Sequence, residues 1–149
     1  MNRLEHLSYN AVGTVAAPAT LTADITDNTI TLVSKYFSKL TLDLQYTPLT
    51  GQTDRFAEIR VDVSNDGGTT YIPIAIKQNT AGEILAYVEN SDLTDGNGVI
   101  IPGDKTSTGG TTYQGSVTVD VYGDHVKISA RESGAANFGT LFCRATLTT

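Results

Sequence analysis

The sequence has no tryptophan, one methionine, four prolines and a single cysteine, Cys143. One cysteine excludes an intramolecular disulfide framework, and with only two histidines it leaves zinc without a ligand set. Charge is sparse: Asp, Glu, Lys and Arg make up 17% of the 149 residues, with 10 basic residues against 16 acidic ones and a net charge of -6. No basic run is present to neutralise a phosphate backbone, so direct nucleic-acid binding is not expected. No apolar window approaches the ~20 residues that a bilayer span requires. Residues 1–13 carry Arg3, Glu5 and His6 where an export signal needs a continuous apolar stretch. The expectation is a soluble chain made in the cytoplasm, with no membrane contact.

What the sequence does have is strand chemistry. Twenty-three threonines, 14 glycines and seven tyrosines, with little alanine-leucine-glutamate composition, favour sheet over helix. From Ser38 to Thr47 apolar residues alternate with polar ones, which turns Leu40, Leu42, Leu44 and Tyr46 to one face. Ala57, Ile59, Val61 and Val63 repeat the rule, with Glu58, Arg60 and Asp62 on the opposite face. Similar runs cover 70–77, 83–89, 116–122, 125–131 and 139–147, the last with Leu141, Cys143, Ala145 and Leu147 inward. Shorter strands are expected over 19–24 and 29–33. Eight or nine short strands predict an all-β fold, an antiparallel two-sheet β-sandwich of jelly-roll type. At 149 residues this is one domain.

Turn chemistry punctuates the strands. Ser64-Asn65-Asp66-Gly67-Gly68 and Tyr122-Gly123-Asp124 offer residues that accept positive φ. Pro73 lacks a backbone donor and marks its strand as an edge or a bulge. Residues 1–18 read as an N-terminal arm attached to a sandwich over 19–149, with Leu4, Leu7, Tyr9 and Val12 as its partner contacts. Asn90 to Gly115 reads as a long loop around the apolar run Val99, Ile100 and Ile101. Such a loop is either a contact surface or a local excursion that adds a strand.

Catalytic constellations are not evident. Asp124, His125 and Ser129 are the residue types of a nucleophilic site, but along a strand His125 and Ser129 stand ~13 Å apart. Cys143 falls on the apolar phase of its strand and reads as a small buried hydrophobe. Asp92 to Gly98 is acidic and glycine-rich but lacks the EF-hand spacing, so no metal is expected. Glu58, Glu83, Glu89 and Glu132 are the acids that a glycosidase would have to bring together, and nothing in their spacing does so. Gly109-Gly110 is not followed by the Lys-Ser or Lys-Thr of a phosphate loop. The chain is expected to be non-enzymatic and to use no cofactor.

Two resemblances emerge. Ser64 to Tyr71 is similar to the Asp-box, the Ser-x-Asp-x-Gly-x-Thr-aromatic hairpin of sialidases and related propellers, where it braces a turn once per blade. It occurs once here, with no repeat at a propeller's period. Tyr36 to Asp43, Ser64 to Tyr71, and Asn137 to Thr140 with the strand that follows together resemble small β-sandwich virion proteins of tailed bacteriophages. The likeness runs from Tyr36 to Thr149. It implies a structural subunit of the virion, specifically a capsid decoration or cement protein, whose partners are the major capsid protein or other virion proteins. It further implies a homo-oligomer, with a trimer favoured, and tail or baseplate placement as the alternative. The rival reading is a carbohydrate-binding module, with Tyr71, Tyr113 and Tyr122 as stacking platform.

Overall fold

The computed structural model describes residues 6–52, 55, 57–74, 109–132 and 136–149, together with the backbone of 86–88 and 98–101. Among the described residues every regular element is a strand: His6–Val12 (β1), Ala19–Thr20 (β2), Asn28–Val33 (β3), Lys39–Thr47 (β4), Ala57–Ser64 (β5), Ile72–Pro73 (β6), Ala86–Val88 (β7), Gly98–Ile101 (β8), Tyr113–Asp120 (β9), His125–Glu132 (β10) and Thr140–Thr148 (β11). No described helix is long and apolar enough to cross a membrane.

Alternation decides the first sheet. β4 pairs along its whole length with β11, from Thr47 opposite Thr140 to Lys39 opposite Thr148. β9 flanks β4 on one side, and β1 flanks β11 on the other, giving the order β1-β11-β4-β9 with β2 as a short addition to β11. The second sheet runs β3-β10-β5-β8-β7, with β6 beside the far end of β5. All pairs are antiparallel. Taking only β1, β3, β4, β5, β8, β9, β10 and β11, the two sheets have the order of a jelly roll, in which the last strand lies between the first and the third. The fold is an all-β jelly-roll sandwich.

The core lies between the sheets. Leu40, Leu42, Leu44 and Tyr46 from β4 are at most 2% exposed, and Leu141, Cys143, Ala145 and Leu147 are fully buried opposite them. From the second sheet Ile59, Val61, Val126, Ile128 and Ala130 close the other side. The threonines are explained on the outer face of the first sheet. There Ser8, Thr146, Thr41 and Thr118 stand in register across four strands. Thr41 and Thr118 share a hydroxyl bond of 2.8 Å, and Ser8 and Thr146 one of 3.0 Å.

Two sequence expectations change, and one of the two readings of the long loop is realised. The segment expected as an arm attached to the sandwich is partly a strand of it: β1 pairs with β11, Leu7 opposite Leu147 and Tyr9 opposite Ala145. A bulge between Asn10 and Val12 keeps the apolar phase inward, and Val12 is only 3% exposed, so it is a core residue and not a partner contact. Leu7 and Tyr9 are half-buried, and Leu4 lies outside the described residues. β11 needs a partner on its open edge, and β1 supplies it. Next, the strand expected over 19–24 stops at Thr20. Asp24 Oδ1 accepts the Thr26 backbone N–H at 2.9 Å and its hydroxyl at 2.8 Å, a local turn that competes with the ladder. Last, the loop from 90 to 115 contains β8, with Ile101, Ile100 and Val99 in register with Ala57, Glu58 and Ile59 of β5. Pro73 sits in β6 opposite Asp62, on the side of β5 away from β10.

Removal of residues 1–12 is expected to lower the melting temperature by exposing the β11 edge, where a detachable arm would leave it unchanged; circular dichroism melts decide. Leu42→Ala, at a fully buried position, is expected to cost about 2–5 kcal/mol in urea unfolding.

Candidate functional site

The outer face of the second sheet carries charged side chains that are largely withdrawn from water. β5 and β10 run side by side, and the period of two sends their alternate residues outward in rows. Glu58 faces Arg131; Arg60 faces Ser129, with Thr29 of β3 beyond it; Asp62 faces Lys127, with Thr31 beyond. Sequence alternation places Glu58 and Asp62 on the solvent side, yet they are 7% and 1% exposed. Their cover is ionic. Arg131 Nε donates to Glu58 Oε2, and Arg60 Nε donates to Asp62 Oδ1 at 2.9 Å. Lys127 Nζ stands 3.8 Å from Asp62 Oδ2 and 4.5 Å from the centre of the Tyr71 ring, over which it lies.

A small pocket of about 180 Å³ opens in this face, lined by Thr26, Thr29, Arg60, Asp62, Lys127 and Ser129 with Ile25 at its side. Thr29 Oγ1 donates to Ser129 Oγ at 3.1 Å, which fixes the pocket wall across β3 and β10. Asp62 Oδ2 is buried and has no hydrogen-bond partner among the described residues.

The turn after β5 borders this face. Ser64 Oγ donates to Asp66 Oδ1 at 2.7 Å and accepts the Gly68 N–H at 3.0 Å. Asp66 Oδ1 also accepts the N–H groups of Thr70 at 2.8 Å and Thr69 at 3.1 Å. These donors, the Thr70 N–H first, hold the Asp66 carboxyl down at about 2. Asp124 ties this turn to the next: Oδ2 accepts the Gly67 N–H at 3.0 Å, and Oδ1 lies 2.9 Å from His125 Nδ1. The His125 bond and then the Gly67 N–H lower the Asp124 pKa. A Cβ at Gly123, whose φ is 102°, would meet the Ser64 carbonyl oxygen at 2.3 Å, so only glycine lets the turns close. The Asp-box segment is thus a braced hairpin coupled to the β9–β10 turn.

That second turn helps build an apolar end of the sandwich. Ser34 N–H donates to the Asp124 carbonyl and Val121 N–H to the Ser38 carbonyl, both at 2.9 Å, joining the β3–β4 and β9–β10 connections. These adjoining connections carry Tyr36 and Tyr122, 75% and 55% exposed, and beside them Val33, 59% exposed, ends β3 opposite His125.

A buried polar cluster lies at the other end of β10. Glu132 Oε2 accepts the Gly139 N–H at 2.7 Å, and Arg55 Nη1 lies 3.9 Å from Glu132 Oε1. Burial first, and the Glu132 carboxylate second, hold the Tyr46 phenol above its ordinary pKa. Glu132 anchors the β10–β11 connection. Cys143 is fully buried, and desolvation pushes its thiol up to about 12, so it packs as an inert hydrophobe.

The structure does not bring the three expected platform tyrosines together. Tyr71 packs under Lys127; Tyr113, half-buried, starts β9 opposite Tyr46; Tyr122 lies past the far end of β9, some ~30 Å along the strand. Val99, Ile100 and Ile101 form β8, while the acidic turn 92–97 lies outside the described residues. His125 and Ser129 point to separate partners, Asp124 and Thr29. Sequence reasoning missed the Arg60-Asp62-Lys127 group. The available signal was an Arg-x-Asp pair on a strand beside a lysine strand, which becomes informative only once the β5–β10 register is known.

Fold and faces together define a jelly-roll domain with a charged outer sheet and an apolar end. No protein-family profile and no curated protein matches the sequence. Among solved structures, dimeric latent PorU from Porphyromonas gingivalis is similar over 97% of this chain and 12% of its own, at 8% identity and a TM-score of 0.45. The exo-beta-1,3-galactanase Pc1,3Gal43A from Phanerochaete chrysosporium, solved with galactose, is similar over 98% of this chain and 30% of its own, at 12% identity and a TM-score of 0.37. The chain therefore spans less than a third of either protein, and neither likeness bears on what it binds.

Folding lowers the Asp66 pKa, so its carboxylate adds stability above its ordinary 3.8, and that contribution is lost as pH falls toward about 2. Asp66→Asn is expected to be less stable at neutral pH and to lose less stability across that acid window; urea midpoints over a pH series measure both.

Proposed function

We propose that the protein is a non-catalytic structural subunit of a tailed-phage virion, specifically a capsid decoration protein that bridges neighbouring coat subunits. The observation that carries this reading is the apolar end formed by Val33, Tyr36 and Tyr122. Large apolar side chains grouped on adjoining, hydrogen-bonded turns are a surface that gains free energy by being covered. The jelly roll is compatible with the role, and the resemblance over Tyr36 to Thr149 supports it. On this reading the partners are coat subunits and further copies of the chain, arranged as a trimer, and the protein resides in the virion. Tail or baseplate placement would use the same end.

A second reading, a carbohydrate-binding module, draws on a different observation: the charged outer face, where Asp62 Oδ2 is buried with no hydrogen-bond donor among the described residues and with Lys127 3.8 Å away. The two readings are separated by which surface matters.

Light scattering is expected to give about three times the chain mass of 15.8 kDa. Combined Tyr36→Ser and Tyr122→Ser substitutions are expected to return a monomer with an unchanged melting temperature and to abolish co-sedimentation with phage shells. A wild-type chain that stays monomeric and pellets with no shell would sink the virion role.

A further inference from the structure

The pocket on the outer face of the second sheet holds an imbalance that the protein itself does not resolve. The Asp62 side chain is 1% exposed. Its Oδ1 is occupied by Arg60 Nε at 2.9 Å, while Oδ2 has no hydrogen-bond donor among the described residues. At 3.8 Å, Lys127 Nζ is too far for a hydrogen bond to Oδ2. Its position over the Tyr71 ring, 4.5 Å from the centre, holds it there. A buried carboxylate oxygen without a donor is costly. The lysine and arginine beside it each keep N–H groups beyond those the carboxylate takes, and their side chains are 30% and 25% exposed.

A ligand that fits must therefore donate to Asp62 Oδ2 and accept from Lys127 and Arg60 over a distance of a few ångströms. Sulfate brings acceptors only, and a hydrogen phosphate, although it has a proton to donate, sets its negative charge against Asp62. An ammonium brings donors only, a metal ion brings neither donors nor acceptors, and both meet two positive groups. An apolar ligand satisfies none of them. Neighbouring hydroxyls on a sugar ring satisfy all three, because each hydroxyl both donates and accepts. One donates its proton to Asp62 Oδ2 and accepts from Lys127 Nζ, and its neighbour accepts from the Arg60 guanidinium.

We propose that this pocket is a saccharide site that grips a pair of neighbouring hydroxyls, with Asp62 as acceptor and Lys127 and Arg60 as donors. The proposal rests on the sugar-binding reading, which it moves from an aromatic platform to a polar pocket, and it is independent of the apolar end. At about 180 Å³ the pocket takes one sugar unit, with the rest of any glycan outside. Recognition is then by hydrogen bonds, with Tyr71 serving to position Lys127.

The test is an amide-resolved NMR titration of the full chain with the methyl glycosides of mannose, galactose and glucose, and with sodium phosphate. At least one glycoside is expected to give saturable shifts centred on residues 60–62 and 127–129, with none from phosphate. Asp62→Asn and Lys127→Met are each expected to weaken binding about tenfold or more, and Tyr122→Ser to leave it unchanged. If Asp62→Asn does not fold, Lys127→Met carries the comparison. Shifts centred instead on Tyr113 or Tyr122 would overturn this site while preserving sugar binding. The same shifts from phosphate would make the pocket an anion site, and no shifts from any glycoside would overturn both readings.

Discussion

The pairing of β4 with β11 is the constraint on which the remaining architecture rests. Nine residues face nine without interruption, and every inward side chain of one strand lies opposite an inward side chain of the other. A slip of one residue would turn Leu40, Leu42, Leu44 and Tyr46 to solvent together, so the register is held by the whole apolar stripe. β1 and β9 build outward from this pair, and the second sheet covers the stripe that it presents. Even Glu132 depends on it, because its partner Gly139 positions the first residue of β11.

The two outer faces solve the same problem by different chemistry. On the first sheet, hydroxyl groups pair across strands, flanked by the exposed Lys39–Asp120 ion pair and by Asp43 and Arg144 in register. On the second, two carboxylates are nearly buried by the arginine and lysine stems around them. Exposed ion pairs contribute little, but pairs this far removed from water must be matched group by group. Glu58 and Arg131 are matched directly. At Asp62 one oxygen is matched and the other is not. The uneven match, more than the charge, distinguishes that corner of the sheet.

Much of the sandwich is legible in the sequence because period two is a local property. The inward residues of β4, β5 and β11 are read correctly, as is the buried thiol of Cys143. The Asp-box turn is legible for the same reason: its bonds span at most four residues. What resists reading is set by distant partners. That His6–Val12 belongs to a sheet depends on β11, and that Val99 to Ile101 forms a strand depends on β5. Alternation correctly puts Asp62 on the outer side but says nothing of the neighbours that cover it. Those come from β10, whose Lys127 is 65 positions away in sequence. For that reason the pocket could not be read from the sequence alone.

The pairing of β1 also sets a timetable for synthesis. Ser8 and Thr146, which share a hydroxyl bond, are 138 positions apart. At ordinary translation rates of ~5–20 residues per second, β1 leaves the ribosome on the order of ten seconds before its partner exists. Through that interval its alternating Leu7 and Tyr9 face has no sheet to join. Another copy's completed β11 offers the same hydrogen bonds, so nascent chains made side by side compete for one docking edge. Exchange of β1 between copies is then a matter of local concentration, and crowding on a polysome becomes part of the folding problem.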